Sequence, residues 1–253
     1  MKKILVILIL ALVAGCAAKE EPFDPVAKFK EGEGYMRKES FEKARKAYQE
    51  IQEKATDRSY DADIMLRIAD TYFGEEKYDE ALVEYQSFLN FHPVNRDAPY
   101  AQYQIAMCSY NEIDTIDRDP EVTRTALKEF QKLLQKYPKS SYEEAANKYS
   151  SVCKDKLSEY EFYVGRFYHK KGSYGAAAGR FEKLLRDFPG STAEKDALYY
   201  AGLSYVELSA REKGKEEQAG RKTQAFKTFE TLVNKYPSMR GEVAPIMSRL
   251  QSK

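Results

Sequence analysis

The chain has 253 residues, 41 of them Lys or Arg and 40 Asp or Glu, for a formal net charge of +1. Charge this evenly balanced leaves no global field to draw in nucleic acid or an anionic membrane surface. The 20 Tyr and 13 Phe, with no Trp, suit repeat packing and an aromatic groove.

Residues 1–15 read as a signal peptide. Lys2 and Lys3 form its charged start, and the apolar run 4–13 is well short of the roughly 20 residues a spanning helix needs. It ends in Leu12-Val13-Ala14-Gly15-Cys16, which resembles the lipobox of bacterial lipoproteins. That resemblance implies cleavage before Cys16 and acylation of its thiol and new amino group; several acyl chains give stable anchoring. Ala17 stands where an inner-membrane retention signal would carry Asp, which favours the outer membrane. Residues 16–26, charged and with two prolines, read as a lipidated tether.

A pattern then repeats. In 81–93, 126–138, 177–189 and 225–237 an Ala stands twelve residues before a Pro, an aromatic eight before and an aliphatic four before. The members are Ala81, Ala126, Ala177 and Ala225; Tyr85, Phe130, Phe181 and Phe229; and Leu89, Leu134, Leu185 and Val233. Ala44, Tyr48 and Ile51 make a weaker first copy without the proline. Residues four apart share a helix face, and the proline ends the helix. Gly32, Ala69 and Gly165 precede three of these helices, each followed three residues on by Tyr35, Tyr72 or Tyr168. Small-then-aromatic, then A-x3-aromatic, then Pro is the tetratricopeptide pattern. The fold class predicted is all-α, a tetratricopeptide-repeat solenoid of about five helix-turn-helix repeats. Repeats one to three occupy 27–141, and a long linking helix with repeats four and five occupies 142–253.

Three stretches depart from the period. Residues 111–124 and 210–222 lengthen the helix–helix connections of repeats three and five. Residues 141–169 hold no proline, and their apolar positions predict one amphipathic helix about 40 Å long. Counting along the first helices assigns Phe29, Met36, Leu66, Phe73, Tyr100, Tyr103, Met107 and Tyr110 to a concave aromatic and methionine line. Such a line suits an extended, aromatic-rich peptide, though any one of these side chains could equally be inter-repeat core.

Motifs of catalysis are scarce. No HExxH, GxSxG, P-loop or CxxC occurs, and the carboxylates alternate with lysines as on solvated faces. The reading is non-enzymatic, with no cofactor or metal. His92 and His169 fall at helix C-termini and read as caps. Cys108 and Cys153 lie on apolar faces and read as small buried residues, although an exported location permits a disulfide.

Asp117-Arg118-Asp119-Pro120, 136–142 (KYPKSSY), 154–157 (KDKL), 159–161 (EYE), 179–181 (GRF) and 185–189 (LRDFP) resemble the assembly-factor lipoproteins of the β-barrel assembly machinery, the BamD family. The resemblance covers nearly the whole mature chain. It implies a scaffold at the periplasmic face of the outer membrane. Its expected partners are the periplasmic domains of the central barrel-forming subunit, other assembly lipoproteins and unfolded outer-membrane protein precursors. It implies that Arg180 contacts the central subunit and that the aromatic line receives precursors. The competing readings are a periplasmic tetratricopeptide adaptor in cell-wall synthesis or envelope constriction, and an intra-repeat salt bridge for Arg180.

Overall fold

A computed structural model describes residues 23–113 and 120–251, and every regular element among them is helical. The chain divides into two compact units at Glu75/Glu76.

The first unit holds α1 (Pro25–Met36), α2 (Phe41–Lys54) and, after a single 3-10 turn, α3 (Asp61–Gly74). Helix therefore begins inside the expected tether. Asp24 is the reason: its carboxylate accepts from the amides of Val26 and Ala27 at 2.9 and 3.1 Å, and Pro25 takes the first helical position. Ala44, Tyr48, Ile51, Ile64 and Ile68 form the buried core. Gly32 lets α1 approach α2, since a Cβ there would lie 2.6 Å from the Tyr48 ring.

The second unit runs through α4 (Tyr78–Phe91), α5 (Ala98–Asn111), α6 (Glu121–Lys136), α7 (Glu143–Lys170), α8 (Tyr174–Asp187), α9 (Glu194–Arg211), α10 (Lys215–Lys235) and α11 (Arg240–Gln251). Each packs on the next. The prolines end helices as expected. His92, Tyr137, Phe188 and Tyr236, each just before a proline, have φ between −128° and −133° and leave the helical region. The ring of the following proline disfavours α geometry there.

The repeat register differs by one residue from the sequence reading. Phe88, Leu133, Leu184 and Leu232, five residues before each proline, are fully buried. Leu89, Leu134, Leu185 and Val233, four before, sit at the edge of the same core. A helix carries i+7 and i+8 on one face, and the closer of the two to the partner helix is i+7. Behind three of the core aromatics, Tyr48, Phe181 and Phe229, stands a glycine. A Cβ on Gly165 would lie 2.5 Å from Phe181, and one on Gly202 2.5 Å from Phe229, although far more chain separates the second pair. The extra residues of repeat five leave the contact intact.

Those extra residues are helix and not a long connection. α9 continues to Arg211, α10 starts at Lys215, and only three residues turn the chain. Residues 215–222 are mostly good helix formers, and helix satisfies their backbone without burying them. The long helix over 141–169 is observed as Glu143–Lys170, 28 residues. Its first half packs on α6 and its second half on α8. A final helix, α11, had no counterpart in the sequence reading. It lays Val243, Ile246, Met247 and Leu250 against Phe229, Leu232 and Val233.

Candidate interaction surfaces

Leu157, Glu161 and Gly165 follow one another at four-residue steps along the buried stripe of α7. The middle member is a carboxylate with 1% exposure. Such a group must be paired. Arg180 and Lys183, three apart on α8, both reach it. Arg180 Nη1 donates to Glu161 Oε2 at 3.0 Å, and Lys183 Nζ donates to Oε1. Arg180 keeps 39% of its side-chain surface open and Lys183 35%. Two cations thus share one buried anion, and Lys183 also lies 3.9 Å from Asp187 one turn along α8. The intra-repeat salt bridge exists, and Arg180 remains accessible beyond it.

The aromatic and methionine line divides between the units. In the first, Phe29 lies 5.6 Å from the Tyr48 ring, Met36 packs on the same core, and Leu66 is 7% exposed. Phe73 is half-buried. Acidic residues on the same helices are engaged: Tyr48 Oη donates to Glu33 at 2.7 Å, and Arg67 bridges Glu33 (2.9 Å) and Asp70 (3.0 Å). In the second unit Tyr103 stacks on Tyr142 at 5.0 Å, and Tyr110 meets Tyr149 edge-on at 4.7 Å. Tyr100 touches Tyr85 and Tyr142, and Met107 packs beside Phe130. Burial, with Tyr149 and Tyr142 nearby, pushes the Tyr103 hydroxyl up to about 12. These residues are first the packing between repeats; what they offer a ligand is their half-exposed edges. Leu66 offers almost nothing.

Cys16 and Asp117, Arg118 and Asp119 lie outside the described residues. Pro120 is buried and caps α6 at its N-terminus. Cys108 and Cys153 are free and buried, as read from their apolar faces, and no disulfide joins them. Desolvation pushes their thiols up to about 12 and about 11. His92 occupies the C-cap of α4, where its backbone N–H donates to the Phe88 carbonyl at 2.8 Å and its ring lies 5.5 Å from that of Phe88. His169 departs from the capping role: its Nδ1 is 2.9 Å from Ser204 Oγ on α9, and its ring meets Tyr174 and Tyr200 edge-on. Burial, reinforced by Arg166, lowers its pKa and favours the neutral ring. Sequence reasoning missed Glu161 and this use of His169. The available signal was a polar residue standing in the apolar register of α7.

Antiparallel helix pairs closed by a small residue against an aromatic, with prolines between pairs, define a helical-repeat protein of the tetratricopeptide type. The chain belongs to the family described as outer membrane lipoprotein, YfiO, whose model matches residues 23–221. It is similar to an outer membrane protein assembly factor BamD of Rickettsia prowazekii, 29% identical over 216 residues, covering 83% of this chain and 85% of that one. A second assembly factor BamD, from Neisseria meningitidis, is 26% identical over 228 residues, with 82% and 85% covered. A solved structure described as the TPR2AB-domain:pHSP90 complex of yeast Sti1 superposes with a TM-score of 0.47 at 11% identity, over 89% of this chain and 96% of that one. The repeat assignment rests on helix pairing and not on that superposition.

Proposed function

We propose that this chain is a non-enzymatic scaffold for assembling β-barrel proteins into the outer membrane. The observation that carries the reading is the shared length: relatives described as assembly factors are matched over more than four-fifths of both chains. In this reading acylated Cys16 holds the protein at the periplasmic face. The C-terminal repeats bind the periplasmic domains of the central barrel-forming subunit, and the N-terminal repeats receive barrel precursors along the exposed edges of the aromatic line.

Arg180 is the contact to the central subunit. A planar guanidinium can pair two N–H groups with one carboxylate across an interface. Support comes from its geometry: Glu161 anchors Arg180 from behind and leaves part of it open. A side chain fixed before binding loses less entropy on binding.

The test is a pull-down of the tagged protein from envelopes in mild detergent, read by mass spectrometry. A large barrel protein with tandem periplasmic domains is the expected capture. Cell-wall synthases or constriction proteins in its place would replace this function with the adaptor reading. Arg180→Glu should reduce capture of the barrel protein without unfolding the chain, and undiminished capture would remove Arg180 from the interface. Cys16→Ala should leave an unprocessed or mislocalised precursor.

A further inference from the structure

Tyr163 and Phe167 lie one helical turn apart on α7 and are 51% and 53% exposed. They open onto a pocket of about 410 Å³ shared with Arg166, His169 and Lys170 of α7 and Tyr200 of α9. The Arg166 guanidinium lies over the Tyr200 ring, 3.9 Å from its centroid. Lys171, at the end of α7, sits 5.7 Å over Phe167. Neither Arg166, Lys170 nor Lys171 has a carboxylate within ion-pair distance among the described residues. Glu207 on α9 acts electrostatically on His169 at this pocket.

We propose that this pocket docks an extended, acidic segment of a partner polypeptide that presents an aromatic side chain between carboxylates. Three aromatic walls give such a ring edge-to-face and offset contacts. The unpaired Arg166 and Lys170 then meet the flanking carboxylates. Stacking on Tyr200 already fixes the guanidinium plane, so little side-chain freedom remains to be lost. A pocket of this size lies within the range that holds one anchoring side chain and its neighbours. Basic segments are repelled by the same three cations. The site lies at the α7–α9 seam and does not use Arg180.

The test uses the full-length protein in mild detergent and three labelled peptides, followed by fluorescence anisotropy. They are acetyl-Glu-Phe-Glu-Phe-Glu amide, the same peptide with Lys for Glu, and the same with Ala for Phe. Saturable binding of the first, at least about tenfold tighter than either other, is expected. Arg166→Glu with Lys170→Glu, and separately Tyr163→Ser with Phe167→Ser, should each weaken it at least about tenfold. All four side chains are exposed, so circular dichroism should show unchanged folding. Arg186→Glu, on exposed surface of α8, should bind as the parent does. No saturable binding, equal binding of the Lys peptide, or insensitivity to both variant pairs would overturn the proposal. So would loss of peptide binding alongside tight binding to phosphatidylglycerol vesicles, which would make the patch a membrane contact.

Discussion

Glu161 looks, in the sequence, like any of the carboxylates that alternate with lysines along this chain. Its position between Leu157 and Gly165 is what puts it inside. Glu161→Gln keeps the shape and removes the charge that holds Arg180 and Lys183. Unfolding free energy should drop by about 1–3 kcal/mol, with capture of the central subunit falling several-fold. Full capture by the variant would show that Arg180 needs no anchor. Next to it, Gly165→Ala would drive a methyl toward the Phe181 ring, where 2.5 Å is available. Overpacking of this kind costs about 1–3 kcal/mol, read as a lower urea midpoint. Gly179→Ala, with nothing within 4 Å of its Cβ, should instead raise the midpoint, by about 0.5–1 kcal/mol. If the two alanines behaved alike, the close approach would not be what selects glycine at 165. The small–aromatic pairs were legible from spacing because the contact is local and repeated. The charge beneath Arg180 was not, because one buried carboxylate leaves no period.

At the scale of elements, α7 is the most consequential, since α6 and α8 both pack on it. Lys156, exposed near its midpoint, allows a test of the backbone alone. Lys156→Pro removes a backbone donor and clashes with the preceding turn, costing about 3 kcal/mol or more. Lys156→Ala should be close to neutral; equal midpoints for the two variants would mean that the helix can break there without penalty. His169 ties the same helix to α9 as a neutral ring. Unfolded imidazole titrates near about 6.5, and the folded value is lower, so the unfolded state binds the extra proton first. Stability is therefore full above about pH 6.5 and declines as pH falls through that value toward the folded pKa. His169→Gln should flatten the decline in urea midpoints between about pH 7 and pH 5.5; an unchanged slope would assign the decline to other groups. The length of α7 was readable because no proline interrupts 141–169. The turn at 212–214 was not, since a charged, glycine-bearing stretch reads as connection until its backbone is seen to continue as helix on both sides. α11 was hidden for a related reason: Pro245 sits within it, where proline usually marks an end.

For the whole molecule, the repeat logic distributes the core over many small interfaces, each buried against a neighbour. Cys108 and Cys153 report on the second unit alone. Both are at most 1% exposed, and their raised thiol pKa values leave little thiolate at neutral pH. Neither should react with a thiol reagent in the native protein, and both should react once urea unfolds that unit. Fast native labelling of either would contradict the burial. The shared helix also governs how the protein can be dissected. A fragment ending at 141 removes Tyr142 and Tyr149, the rings that roof Tyr103, Tyr110 and Phe130. It would present a raw aromatic face, sticky to any unfolded polypeptide. An N-terminal half meant to map precursor recognition has to be cut beyond Leu157, or its adhesiveness will pass for specificity.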